Sequence, residues 1–391
     1  MAGGTRSFEM AKRMVAAGHE VDMITTSRED GVGNDWIMTE ESGIRVHWLP
    51  VPYSNQMDFL QRVWAFIRFA YRCTVKASSL KGDVVFATST PLTIAIPGVL
   101  TSRRLGKPMV FEVRDLWPQL PIAIGVLKSP ILIKLANWLE RWAYSNSKRV
   151  VALSSGMKEG VVRVGYPENH VTVIPNSCDI NLFGISGSDD DAAVSKLLPW
   201  LGERKLVVYT GTFGAINGTD YLIHVAYHLA KSDEDVQFLL VGDGIDYDKN
   251  VDLANSLGVL GRNLHIMKSI PKTELVAIIR RATVATSLFI NLEEMWANSA
   301  NKFFDALAAS RPIMINYKGW QADLLLESGA GIVVPPDDTI EASRLLLALL
   351  NDDERLKKAS QASCDLAHKM FNRDLLADRL IKVLENAVEA S

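Results

Sequence analysis

Apolar runs of strand length and amphipathic stretches of helical spacing alternate along this chain, and the alternation starts twice. In the first half strands read at 21–24, 83–87, 108–113, 150–154 and 171–174, and helices at 6–17, 61–76, 92–104 and 131–145. A polar run at 184–191, rich in Gly, Ser and Asp, interrupts the pattern. It resumes with strands at 206–209, 236–241, 264–267, 284–288 and 313–315, and helices at 219–231, from Lys272, and over 298–311. A helix between two strands carries the chain back across one face of the sheet, so the strands it joins run parallel. The alternation therefore predicts an α/β chain with two doubly wound parallel sheets. A length of 391 residues also exceeds what one core usually holds. The predicted domains are residues 1–180 and 181–372, with a final amphipathic helix in 373–391 packing back on the first domain. Ligands of such sheets bind at the carboxyl ends of strands, here expected to face an interdomain cleft.

Composition narrows the function classes. A net charge of −3 argues against general nucleic-acid binding. Cys73, Cys178 and Cys364 are few, odd in number and far apart, which fits a reducing compartment and neither a disulfide nor a zinc framework. The first residues, MAGGTRSFEMAKR, hold no apolar signal core, and the most apolar run, 84–100, is broken by Pro91, Thr93 and Pro97. A cytoplasmic protein is expected, without a transmembrane helix.

Several stretches carry candidate chemistry. Residues 298–312, NSANKFFDALAASRP, read as a helix capped by Asn298 or Ser299, with Phe303, Phe304, Leu307 and Ala308 facing a core and Arg311-Pro312 ending it. Free N–H groups at a helix start favour an anion, and Lys302 lies in that first turn. Asp305, one turn on, can accept two hydroxyls of a ribose. Together they describe a nucleotide diphosphate site; the alternative is a plain capped helix with Lys302 and Asp305 as an i,i+3 pair. The loop Thr210-Gly-Thr-Phe-Gly214 before a helix can bring backbone N–H groups to phosphate, and Gly242-Asp-Gly244 closes the strand at 236–241. Gly3, Gly4 and Thr5 form a similar turn before a helix, with a plain loop as the alternative. Arg114 and Asp115 follow a strand end, where Arg114 can stabilise a leaving diphosphate and Asp115 can orient an acceptor hydroxyl; a structural Arg–Asp pair is the alternative. Residues 61–76 place Arg62, Arg68, Arg72 and Lys76 on one arc beside aromatics. That pattern suits an anionic membrane surface or, equally, a core-packed helix with a solvated basic face.

Taken in order, these marks resemble the family-4 retaining glycosyltransferases of the GT-B fold over nearly the whole chain, and among them the bacterial surface-polysaccharide transferases. The matching residues are Gly3-Gly4-Thr5 with Gly18-His-Glu-Val21, Glu112-Val-Arg-Asp-Leu-Trp-Pro118, Ile174-Pro-Asn176 with Asp179, Gly211-Thr-Phe-Gly214 with Asn217-Gly218, Val241-Gly-Asp-Gly244, and Asn301-Lys-Phe-Phe-Asp305 with Ala308 and Pro312. The resemblance implies two Rossmann-like domains. The second would hold a nucleotide-sugar donor, usually UDP-linked, and the first a lipid-linked or saccharide acceptor, often at the inner face of the plasma membrane. Transfer would be retaining, with no cofactor and no metal. By the same resemblance Gly211, Thr212, Phe213, Gly214, Gly242, Asn301, Lys302 and Asp305 contact the donor, the Ile270 backbone contacts the base, and Gly3, Gly4 and Thr5 form an acceptor or phosphate loop. Arg114 stands where the family has its catalytic-loop His, and Ala297 stands where it has the first of two carboxylates, with Glu293 and Glu294 nearby. Thr212 and Asn217 stand where most members have an Arg and a Lys. The family's first strand is expected ahead of Gly3, and the sequence begins without it. Two other functions fit these residues: a nucleotide-sugar epimerase of the same fold, and a catalytically silent sugar-nucleotide-binding protein.

Overall fold

In the computed structural model the described residues are 6–27, 35–51, 59–89, 91–184, 189–231 and 235–390. Two compact units result. The first comprises residues 1–174 and 374–391, and the second runs from Pro175 to Arg373.

Among the described residues the first unit has seven strands in two sheets. Strands β1 (Asp22–Ser27), β2 (Ile37–Glu41) and β3 (Ile44–Pro50) form one sheet in the order β1-β3-β2, with β2 antiparallel to β3. Strands β4 (Val85–Thr88), β5 (Met109–Val113), β6 (Arg149–Ala152) and β7 (Val171–Val173) form a parallel sheet in chain order. Strands β2 and β3 were not expected from the sequence; for β2, the exposed residues Met38, Thr39 and Glu40 give no apolar face to detect. Helix α1 (Arg6–Ala16) lies between the two sheets' cores: Met10 and Met14 join Val110 and Val151, while Phe8 and Ala11 join Ile44 and Val46. Helix α2 (Phe59–Ser78) packs on α3 (Ala95–Leu105), which also packs on α5 (Pro130–Ser145); the short α4 (Gln119–Ala123) precedes α5. The last helix, Arg373–Glu389, buries Leu376, Leu380, Leu384 and Ala387 in the same core as Val110 and Ile174.

The second unit is built on β8 (Lys205–Thr210), β9 (Val236–Val241), β10 (Leu264–Met267), β11 (Val284–Ser287), β12 (Ile313–Ile315) and β13 (Gly331–Val333). All pairs are parallel, in the order β10-β9-β8-β11-β12-β13. Strand β9, VQFLLV, is buried at every residue, as a central strand covered by helices on both faces requires. The chain passes into this unit at Pro175, ahead of the polar run at 184–191. Asn176 and Cys178 are bound into it: the Asn176 N–H donates to Ser299 Oγ at 3.0 Å, and the Cys178 N–H to the Phe371 carbonyl at 2.7 Å. The chain returns alongside, where Arg373 at the start of the last helix pairs with Asp179 at 2.6 Å.

Candidate functional site

In the sheet of the second unit the chain runs outward from β8 through β9 to β10, then crosses back to β11 on the other side of β8. Strand order reverses between β8 and β11, and a crevice for ligands opens at the carboxyl ends of strands at such a point. The loops leaving β8 and β11 meet there, and Lys302 reaches both. Its Nζ donates to Tyr209 Oη at 3.0 Å and to Asn217 Oδ1 at 3.1 Å, and lies 4.5 Å and 5.0 Å from the ring centroids of Tyr209 and Phe289. Tyr209 Oη in turn donates to the Thr212 carbonyl at 2.9 Å. Lys302 is half-buried as a residue, but these groups crowd its amine, and desolvation lowers its pKa from 10.5 to about 7.

Lys302 comes from the helix Asn301–Ala308, which buries Phe303, Phe304 and Leu307 as its spacing predicts. The expected cap is not formed. Ala300 occupies the N-cap with no side-chain bond, because Ser299 Oγ serves the Asn176 N–H and Asn298 Oδ1 serves the Ala300 N–H at 3.1 Å. The helix start is left without a side-chain acceptor. Asp305 pairs with Lys272 at 3.0 Å, so the i,i+3 pair with Lys302 is not formed either. Glu293 and Glu294 lie in a short turn, and neither carboxylate makes a hydrogen bond or ion pair among the described residues. Ile270 is half-buried after β10, and Asn301 is exposed at the first helical position.

The glycine loops pack on each other through backbone. The Gly211 N–H donates to the Val241 carbonyl at 3.0 Å, the Phe213 N–H to Asp243 at 2.9 Å, and the Gly242 N–H to Met267 at 3.0 Å. A Cβ on Gly242 would stand 1.8 Å from the Gly211 carbonyl oxygen, so only glycine permits the contact. The Gly211 and Phe213 N–H groups are thus engaged by backbone carbonyls, which corrects their expected use as a phosphate cradle. Phe213 is fully buried between Tyr209 and Tyr247, so its side chain supports the loop from below rather than lining a surface. Thr212 is exposed and Gly214 half-buried at the rim.

In the first unit Arg114 and Asp115 follow β5. The Arg114 N–H donates to Ser89 Oγ at 3.0 Å, while no ion pair joins the two side chains among the described residues, so the structural Arg–Asp pair is absent. Burial raises the Asp115 carboxyl to about 6, with the Arg114 charge opposing the shift. Gly3, Gly4 and Thr5 lie outside the described residues. A buried ion pair on β5 was not expected from the sequence: Arg6 Nε donates to Glu112 Oε1 at 2.9 Å, Arg6 Nη2 to the Ile174 carbonyl at 2.8 Å, and Thr88 Oγ1 to Glu112 Oε2 at 2.7 Å. The signal was a carboxylate within an otherwise apolar strand, which demands a partner when buried. Among the described residues no group of three or more His, Cys, Asp or Glu is placed to hold a metal ion.

Two family models match the chain: a glycosyl transferase 4-like domain over residues 2–177 and glycosyl transferases group 1 over residues 204–352. The probable glycosyltransferase WbjE of Pseudomonas aeruginosa is 27% identical over 305 residues, covering 75% of this chain and 73% of that protein. Sucrose-phosphate synthase from Thermosynechococcus elongatus superposes with a TM-score of 0.80 at 15% identity, over 100% of this chain and 95% of the other. Anabaena HepE, solved in complex with UDP and glucose, superposes with a TM-score of 0.73 at 16% identity, over 99% and 98% of the two chains.

Proposed function

The chain belongs to the family-4 glycosyltransferases of the GT-B fold, and on that premise we propose that it is a retaining, metal-independent transferase that takes its sugar from a UDP-linked donor. In this reading the second unit binds the donor, and a lipid-linked or saccharide acceptor of envelope polysaccharide synthesis binds the first, at the inner face of the plasma membrane. The observation that carries it is the Lys302 amine at the switch point between β8 and β11, one residue inside a helix start that no side chain caps. A diphosphate arriving there restores the charge that burial suppresses, and the helix start adds its free N–H groups. Asp305, whose Oδ2 is paired with Lys272, takes the ribose hydroxyls. Thr212 and Gly214 lie at the rim beside the phosphates. In the transfer the C1–O bond to the diphosphate breaks, the acceptor oxygen bonds to C1 and its proton passes to the departing phosphate oxygen; Arg114 is assigned to stabilising the leaving diphosphate and Asp115 to orienting the acceptor hydroxyl.

The test is a thermal-shift screen of nucleoside diphosphates and nucleotide sugars, since a ligand that binds only the folded state raises the melting temperature. UDP and one UDP-sugar should stabilise selectively, and that UDP-sugar should turn over with a lipid-linked acceptor. Equal response to all nucleotides, or to none, refutes the donor assignment. One observation favours a second reading, binding without transfer: Ala297 replaces a family carboxylate, and neither Glu293 nor Glu294 is held in its place. Donor binding with no turnover on any acceptor supports that reading. Turnover of the donor without acceptor supports the epimerase alternative.

A further inference from the structure

Glu140 is buried in α5 with little to balance a charge. Its side chain is fully enclosed, and no cation pairs with it among the described residues. Its hydrogen bonds are long: Tyr144 Oη donates to Oε1 at 3.3 Å and Gln119 Nε2 to Oε2 at 3.4 Å. Bonds to an anion are short, about 2.5–2.9 Å. An ionised carboxylate so poorly answered is costly to bury. The amide that reaches Glu140 is itself incomplete, since Gln119 Oε1 is buried without a hydrogen-bond partner. One proton satisfies both groups. As a carboxylic acid, Glu140 has a hydroxyl to donate to Gln119 Oε1 while its other oxygen accepts from Gln119 Nε2. Burial favours the same form: it raises the carboxyl from 4.5 to about 7, with Gln119, Tyr144 and Arg141 opposing the shift.

Gln119 opens α4 directly after the loop that carries Arg114 and Asp115. That loop is tied at its start by the Arg114 N–H on Ser89 Oγ. In its middle Leu116 fills the space over Gly160 of the helix Ser155–Arg163, where a Cβ would stand 2.5 Å from Leu116 Cδ2. Its end is held by the Gln119 amide on Glu140. The other ionisable groups around α5 are engaged or exposed. On α3, Arg103 binds Asn146 Oδ1 at 2.6 Å and Arg104 is exposed. On β5, Glu112 is taken by Arg6 and Thr88. Tyr144 lies against Phe111 and Tyr166, and Arg141 is exposed. Residues 92–94 and α4 carry no ionisable side chain. Asp115, on the loop itself, is the second buried acid.

We propose that Glu140 stands as a neutral carboxylic acid and, through paired bonds to Gln119, is a positioning residue for the Arg114–Asp115 loop in sugar transfer. The proposal rests on the assignment of that loop to the transfer, and its test separates the two. A group titrating near 7 is about nine-tenths neutral at pH 6 and about one-tenth at pH 8. As the proton leaves, Gln119 Oε1 loses its donor, a charge is left buried, and the loop loosens. Glu140→Gln keeps an N–H for Gln119 Oε1 and cannot ionise. The first readout is hydrogen exchange of the 114–124 backbone amides at pH 6 and pH 8, corrected for intrinsic rates, which needs no turnover. Wild type should lose protection about fivefold or more between the two, and Glu140→Gln should stay protected at both. Gln119→Leu, at a half-exposed residue, should lose protection at both. The second readout is turnover with donor saturating. The ratio of Glu140→Gln to wild type should rise about fivefold or more from pH 6 to pH 8, a comparison in which the titrations of Asp115 and Lys302 cancel. Equal protection of wild type at both pH values overturns the proposal. So does a Glu140→Gln as unprotected as Gln119→Leu, a Gln119→Leu as protected as wild type, or a turnover ratio that does not move with pH. The expected exchange pattern with no wild-type turnover supports the acid–amide pair and counts against the transfer reading alone.

Discussion

Replacing Lys302 by Met should move two quantities in opposite directions. Met keeps most of the side-chain volume beside Tyr209 and Phe289 and removes the amine. Burial lowers the Lys302 pKa from 10.5 to about 7. The unfolded chain therefore holds this proton more tightly than the folded one between those values, and stability must rise with pH across that window, by up to about 1.4 kcal/mol per unit. Below about 7 both states are protonated and the full cost is present. It amounts to roughly 5 kcal/mol at most, less in proportion to the water reaching the amine. Lys302→Met should be more stable than wild type at pH 7, and the gap should close toward pH 10. Donor affinity should move the other way. A charge-assisted bond to the diphosphate is worth about 1.5–3 kcal/mol, so UDP affinity should fall by roughly tenfold to a hundredfold. Urea unfolding of both proteins at several pH values, beside titration calorimetry with UDP, reads both effects. If the two proteins show the same pH slope, the amine is not desolvated as described. If UDP affinity is unchanged, Lys302 is a structural tie between β8 and the 211–218 loop, and the donor site lies elsewhere.

Three further outcomes follow from the same geometry. Arg114→Ala should hold UDP affinity within a few-fold and cut turnover by roughly 10²–10³, the usual loss for one electrostatic donor; titration calorimetry beside single-turnover kinetics decides it, and a collapse of binding would make Arg114 a ground-state ligand. The Asp115 carboxyl, raised to about 6 from 3.8, costs stability as pH rises through that window. Asp115→Asn should therefore be more stable than wild type at pH 7, by up to about 3 kcal/mol. It should also lose any acid limb near pH 6 in the turnover profile. An unchanged profile would remove Asp115 from the reacting groups. Activity should survive EDTA, and a loss restored by magnesium or manganese would contradict metal-independent transfer.

Much of this molecule was legible in the chain because parallel sheets write themselves into sequence. Strands buried on both faces read as nearly continuous apolar runs, as in β12, with Glu112 and Gln237 the single interruptions of β5 and β9. The helix carrying Lys302 was equally plain, since Phe303, Phe304 and Leu307 share its buried face. Strands β2 and β3 were not: β2 is exposed along nearly its whole length, so pairing with its neighbour, a non-local contact, decides its structure. Residue type marked Lys302 and Asp305 as charged groups one turn apart, but their partners come from distant segments, Tyr209 and Asn217 for one and Lys272 for the other. Likewise the cap went unmade because Asn176, more than a hundred positions away, takes the Ser299 hydroxyl. The helical period of α2 establishes that it has an apolar face. It carries no information on whether that face meets a core or is left bare, because burial is a property of what packs against it. Local sequence determines periodicity and charge, whereas hydrogen-bond partners, desolvation and exposure depend on chain segments that only folding brings together.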